Sequence, residues 1–403
     1  MTGKPRDSVQ RVRRLLFLVG AIAFVDVMFF SALTPLLPHY AHRLDLSKAQ
    51  AGLLAAMYPI GAGVMGIPSG IAAARAGVKP TLLLALALMA ATTVVFGFSD
   101  TYWILDTARF VQGAASAFAW TAGFAWLVAA VPPARRGEVI GKAMAAAIGG
   151  ALFGPVVGAI ASWTGTGPAF ASIAVLATIL GIAAWRTPAF APGERQPLTV
   201  LVDAVRDRGM VASFWFVLLP ALGFGVIAVL APLHLARLGV GTAAIGGIWL
   251  VGAGTESVLS AVAGRFSDRN GRTLPLRVGL TGAVAVTAAL AFADARWLIA
   301  GLVVLAAMSF GTFWAPALSM LADASEQRGL DYAYGFALVN LAWAPGAAGG
   351  AAVGGAIADA TVDALPYLAL TVLCAASLAL ATLAPRGRAA AATRPLALDS
   401  ESS

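Results

Sequence analysis

Apolar runs of about 20 residues, each closed by a short polar break, recur along the whole chain, and about 20 such residues carry a helix across a hydrocarbon layer of about 30 Å. Twelve runs stand out, near 15–38, 50–71, 79–98, 103–130, 139–162, 168–186, 211–235, 243–263, 273–292, 297–321, 333–357 and 364–384. Residues 187–210 break the pattern with Pro188, Pro192, Glu194, Arg195, Pro197, Asp203, Arg206, Asp207 and Arg208, the only long polar stretch between runs. The pattern predicts an all-α polytopic membrane protein with twelve transmembrane helices in two pseudo-symmetric six-helix halves. Their bounds are 15–186 and 211–384, joined by a linker over 187–210. A basic segment, 1–14, precedes them, and an Ala-rich polar tail, 385–403, is expected to be disordered. The first run follows a basic region as a secretory signal would. It is too long for one, ends in Pro35 and Pro38 rather than a small-residue cleavage site, and reads as a retained span.

The two halves carry a residue-level repeat. Gly70-Ile71-Ala72-Ala73-Ala74-Arg75-Ala76-Gly77-Val78-Lys79 follows the second run, and Gly264-Arg265-Phe266-Ser267-Asp268-Arg269-Asn270-Gly271-Arg272-Thr273 follows the eighth at an offset of 194, with Gly, Arg and Gly matching. Gly158-Ala159-Ile160 and Gly355-Ala356-Ile357 recur at an offset of 197. The chain therefore reads as a duplication, a pattern typical of transporters.

Composition agrees: 60% of the residues are hydrophobic and 11% charged, far from the balance of soluble domains. Cys374 is the only cysteine, so no intramolecular disulfide and no thiol-based zinc motif can be built. The net charge of +8 could suggest nucleic acid, but its placement argues otherwise. Of the 27 Lys and Arg, only Arg43, Lys48, Arg237 and Arg296 fall on one set of loops and Arg109 inside a run; the rest lie on the other side. The positive-inside rule then puts both termini and the linker in the cytoplasm of a multi-pass protein of the cell's inner membrane, with anionic lipid headgroups beside the basic loops and no nucleic-acid partner. No phosphate-binding glycine loop or zinc pattern is present, and His39, His42 and His234 all fall at predicted outer ends. Nothing points to an enzyme.

The candidate chemistry lies in the few polar residues within the runs. Asp26 sits among Phe24, Val25, Val27, Met28, Phe29 and Phe30. A carboxylate at the bilayer centre costs about 2.5–3.5 kcal/mol on insertion scales, so it is expected to face protein or a wet cavity and to bind a proton or cation. The plainer reading is an acid tied to an arginine to hold two helices together. At about 1.5 Å per residue Asp26 lies about 16 Å above the inner face and Arg109, on an antiparallel run, about 21 Å. Arg109 can therefore reach it, and the two are expected to be coupled near the midplane. Glu256 is the second intramembrane acid, a proton relay, substrate ligand or gate residue. Asp106 lies nearer an outer end, and Asn340 could bond substrate or bridge helices. Phe30, Tyr58, Trp120, Trp314 and Trp343 are candidates for an aromatic cavity that accepts flat lipophilic cations. Gly150, Gly154 and Gly158 form a smooth helix face, and Pro155 removes a backbone hydrogen bond there.

These residues resemble the major facilitator superfamily, and within it the drug:proton antiporter branch of bacterial multidrug efflux pumps and vesicular monoamine transporters. Gly264 to Thr273, with Gly264, Asp268, Arg269, Gly271 and Arg272, is similar to the family's cytoplasmic gating loop; the first-half copy departs at Ala74 and Val78. Ala108-Arg109-Phe110-Val111-Gln112-Gly113 looks like its Arg-x-x-Gln-Gly motif. Gly150-Ala151-Leu152-Phe153-Gly154-Pro155-Val156-Val157-Gly158 is similar to the antiporter motif, and Asp26 with Pro35-Leu36-Leu37-Pro38 resembles the monoamine transporters' first span. The resemblance implies the major facilitator fold and a monomer needing no cofactor or metal beyond a proton gradient. It also implies antiport of protons against small lipophilic or cationic compounds, with Asp26, Arg109, Glu256 and Asn340 as the coupling set. By the same resemblance the Gly150 face is a flexible contact between the halves. The rival reading is a proton symporter importing a sugar, organic acid or metallophore.

Overall fold

The computed structural model describes residues 5–132, 135–188, 208–271, 273–328 and 332–383. The described residues form twelve helices: α1 Pro5–Arg43, α2 Lys48–Ala76, α3 Val78–Phe98, α4 Tyr102–Ala129, α5 Arg136–Thr164, α6 Thr166–Arg186, α7 Arg208–Arg237, α8 Thr242–Asn270, α9 Thr273–Leu290, α10 Arg296–Glu326, α11 Tyr332–Ala360 and α12 Ala364–Leu383. The all-α expectation holds. Residues 189–207 of the expected linker and the tail from 384 lie outside the described residues. Two boundaries move. The polar segment before residue 15 joins α1 without a break from Pro5, and Gly264, Asp268 and Arg269 lie on α8 rather than in a loop.

Among the described residues, eleven helices are long and apolar enough to cross a membrane. The twelfth, α4, has the length, 28 residues, but carries Asp106, Arg109, Gln112, Ser116 and Thr121. Its polarity is absorbed by protein, since all five are buried. α4 lies against α2 and α3.

The duplication is visible in the backbone. α2 and α8 begin at Lys48 and Thr242 and end at Ala76 and Asn270, 194 positions apart at both ends. Each is stopped by a glycine with positive φ, Gly77 (φ 94°) and Gly271 (φ 89°). That region is nearly closed to residues with a Cβ, which is why both copies keep glycine there. α2 starts with a capping box, in which Ser47 and Gln50 satisfy each other's backbone amides, a Ser-x-x-Gln signal readable in the chain.

Helix pairs approach through small residues. A Cβ on Gly154 would collide with Ser31 and with the Met28 carbonyl of α1, and one on Gly158 with Pro35. This corrects the expectation that the Gly150, Gly154 and Gly158 face joins the two halves: it packs α5 onto α1 inside the first half. The same triplet recurs 196 residues later as Gly346, Gly350 and Gly354, which lie against Leu218, Leu222 and Val226 of α7. The seams between halves are instead α2 with α11 and α5 with α8. At one, Gly52 meets the Ala351 carbonyl and Gly355; at the other, Gly246 meets the Pro155 carbonyl (2.8 Å from a built Cβ) and Ala159. Gly52 and Gly246 are themselves 194 apart, so the two seams are copies.

Candidate functional site

The Asp26 side chain, 1% exposed, is held by three donors. The Tyr58 hydroxyl of α2 donates to both carboxylate oxygens at 2.9 Å. The Ser116 hydroxyl and the Trp120 indole N–H of α4 reach Oδ2 at 2.7 and 2.8 Å. Trp Nε1 can only donate, so this arrangement suits a carboxylate that accepts. Tyr58 is delivered there by glycine. Gly61 sits against the Phe110 carbonyl, and Gly113 against that of Tyr58, so α2 and α4 touch backbone to backbone. The Gly of Arg109-x-x-Gln112-Gly113 thus has a packing reason.

Arg109 is also 1% exposed. Its guanidinium carbon lies 5.0 Å from the Tyr58 ring centre, 5.5 Å from Phe29, 5.8 Å from Phe96 and 5.9 Å from Phe30, distances typical of cation–π contact. Nη1 donates to Gln112 Oε1 at 2.9 Å, while Nε has no partner. The expected Asp26–Arg109 coupling is therefore not a direct ion pair. The five ion pairs among the described residues do not include it. The two groups meet through Tyr58, whose hydroxyl serves the acid and whose ring faces the cation.

The aromatic set divides. Phe30 lies 4.7 Å from Tyr58 and 5.6 Å from Trp343 of the other half, bridging the halves above Asp26. Trp120 stacks on Phe124 at 5.2 Å while bonding Asp26. Trp314 packs into a second-half cluster with Ala317, Leu321 and Ala342. Glu256 makes no hydrogen bond or ion pair with another described residue. Its Cγ fills the space a side chain on Gly311 of α10 would take, and it stays half-buried rather than sealed. Asn340, half-buried, likewise makes no hydrogen bond with a described residue. Gly264 has open space around it. The side chains of Asp268 and Arg269 of the expected gating loop, and Arg272 altogether, lie outside the described residues.

Two things escaped the sequence reading. Ser116 was readable as the next position after Gln112 on the same α4 face. The other is a latch across the α2–α11 seam on the face expected to be outer. Lys48 Nζ bonds Asp363 at 2.5 Å and the Ala358 carbonyl at 3.3 Å, and its backbone N–H reaches Asp359 at 3.1 Å. Arg237 also pairs with Asp363. Burial works against ionisation of Asp363, but Lys48 and Arg237 more than offset it and hold its carboxyl below the usual range. A cavity of about 390 Å³ opens beside the latch, lined by His234, Asp294 and Tyr367 among others, away from Asp26.

Two copied six-helix halves meeting along two seams, with a buried acid and cation on neighbouring helices, define a multi-pass membrane transport protein rather than an enzyme. Residues 19–347 match the family described as Major Facilitator Superfamily, and the chain belongs to it. Among curated relatives, the "MFS-type transporter ppzB" of Metarhizium rileyi is 30% identical over 34% of this chain and 29% of its own length. The "Probable vesicular acetylcholine transporter-B" of Danio rerio is 32% identical over 38% and 33%, and the "Hexuronate transporter" of Bacillus subtilis 33% over 37% and 35%. The matched stretches thus span about a third of these relatives. Among solved structures, a bacterial homologue of the human lysosomal transporter Spinster in an inward-facing, occupied conformation superposes with a TM-score of 0.75 at 16% identity, covering 96% of this chain and 98% of its own. The nucleoside transporter NupG gives 0.71 at 14%, covering 91% and 98%. At such identity these establish the fold alone.

Proposed function

We propose that this chain is a proton-coupled antiporter that exports small lipophilic or cationic compounds by alternating access, Asp26 carrying a proton and a cationic substrate in turn. The observation that carries this reading is the sealed Asp26 carboxylate, held by Tyr58, Ser116 and Trp120 one layer from the Arg109 guanidinium. A buried acid poised between a neighbouring cation and removable donors can be titrated by a change of neighbours. Phe30, Trp120 and Trp343 supply faces for a flat cation, and a relative named for acetylcholine, a quaternary ammonium ion, is in keeping with such cargo. The pump needs no cofactor beyond the proton gradient, acts as a monomer, and sits in the inner membrane with both termini cytoplasmic. The test is ethidium transport driven by an imposed proton gradient in everted membrane vesicles, native against Asp26→Asn. Loss in the variant supports the reading, and unchanged gradient-driven transport defeats it. The rival, proton-driven uptake of a small anionic or neutral solute, has one specific support, the relative named for hexuronate. Accumulation of labelled glucuronate by intact cells expressing the chain would favour it.

A further inference from the structure

One turn along α4 from Arg109 stands Asp106, 2% exposed, with neither carboxylate oxygen hydrogen-bonded. The Tyr102 hydroxyl, the polar group that acts on this carboxyl, donates to the Gln50 carbonyl at 3.3 Å. Arg109 is itself incompletely satisfied, with Nε free and a single bond to Gln112. Residues three apart on a helix are neighbours on one face, so Arg109 stands midway between Gln112 and Asp106. A buried carboxylate with no cation beside it and only the Tyr102 hydroxyl near it is costly, and so is an under-bonded buried guanidinium. Here the two sit within one turn and are not paired.

We propose that Asp106 is the alternate partner of Arg109: the guanidinium rests on Gln112 and the Tyr58 ring while Asp26 is ionised, and turns to Asp106 when Asp26 takes up its proton or a cation. Asp106 is then a positioning residue. Giving Arg109 a second seat removes a positive charge from beside a carboxylate that no longer needs it, and returning it helps expel the proton. The inference rests on the antiport reading above. In the arrangement seen, the charged and titratable groups in electrostatic reach are Tyr102 for Asp106, and Asp26 and Tyr40 of α1 with Tyr58 of α2 for Arg109, while α3 contributes the Phe96 ring; Asp106 and Arg109 act on one another only once the guanidinium has turned. Tyr40, buried with a free hydroxyl, adds no competing charge.

The experiment is the pH profile of gradient-driven ethidium transport in everted vesicles. Asp106→Asn leaves Arg109 beside Asp26 throughout, so the profile is expected to move to lower pH by about one unit, the scale of a nearby opposite charge, and Asp106→Glu is expected to restore it. Gln112→Leu removes the present seat and is expected to move the profile the opposite way, which keeps the test open should Asp106→Asn not be recovered folded. A profile that coincides with the native one in the variants, or that only falls in amplitude, overturns the inference. If Asp26→Asn still transports with the gradient, the antiport reading has failed instead, so the two failures are distinguishable.

Discussion

Asp26 and Glu256 are the mid-span acids of the two halves, and they live in different surroundings. Asp26 is sealed and accepts from three side chains. Glu256 is half-buried and bonded to no described residue. The backbone around them is copied, yet the chemistry is not. At the offset of 194, Asp26 corresponds to Pro220, Tyr58 to Gly252, Arg109 to Val303 and Ser116 to Phe310; Glu256 corresponds to Ala62. Only Trp120 finds its like, in Trp314. Duplication preserved the packing rules and left the polar cluster to one half, so a molecule symmetric in its frame is asymmetric in its charges.

The sharpest way to break this comparison is to neutralise each acid. Asp26→Asn is expected to abolish gradient-driven transport, while Glu256→Gln keeps a measurable part of it, read in the same vesicles; the reverse ranking would move the coupling site to the second half. Next comes the copied frame. Gly154→Val and its second-half counterpart Gly350→Val should each destabilise the purified protein by about 1–3 kcal/mol through overpacking, seen as matched losses in thermal unfolding. A large loss in one and none in the other would show that the halves are not equivalent in packing. Smaller still, Gly271→Ala and Gly77→Ala should each cost about 1–2 kcal/mol, because alanine resists positive φ. The smallest effect concerns the latch. The Asp363 carboxyl is held below its ordinary range, so its contribution is present at neutral pH and is lost only as pH falls through that lowered value. Lys48→Ala should weaken the seam by about 1 kcal/mol or less, as partly exposed pairs do. Labelling of a cysteine at Thr361 is therefore expected to rise modestly in Lys48→Ala, and to be insensitive to mildly acidic buffer in the native chain.

Much of this was legible beforehand. Hydrophobic run lengths located twelve helices because the bilayer fixes that length, and the repeated glycines at 77 and 271 revealed the duplication because one backbone conformation demands them. Depth could also be counted, so Asp26 and Arg109 were brought to one level. Rotation about the helix axis could not be counted across helices. Tyr58, expected to wall a cavity, instead links the acid and the cation, and the Gly150 face, expected between the halves, lies within the first. The recurrence at Gly346, Gly350 and Gly354 was readable and would have corrected that, since a triplet present in each half suits a helix contact made inside each half. Lys48 and Asp363 lie far apart in sequence, and a lone pairing of surface charges leaves no periodic trace.

The first backbone amide of α2, on Lys48, is bonded by Asp359 from the far end of α11, so the second half supplies the finishing bond of a helix that belongs to the first. On the alternating-access reading proposed above, that amide passes from a carboxylate to water whenever the two halves part at this end. On that reading its hydrogen-exchange rate is a built-in clock of the transport cycle, one that counts openings without a label and slows whenever a ligand holds this end shut.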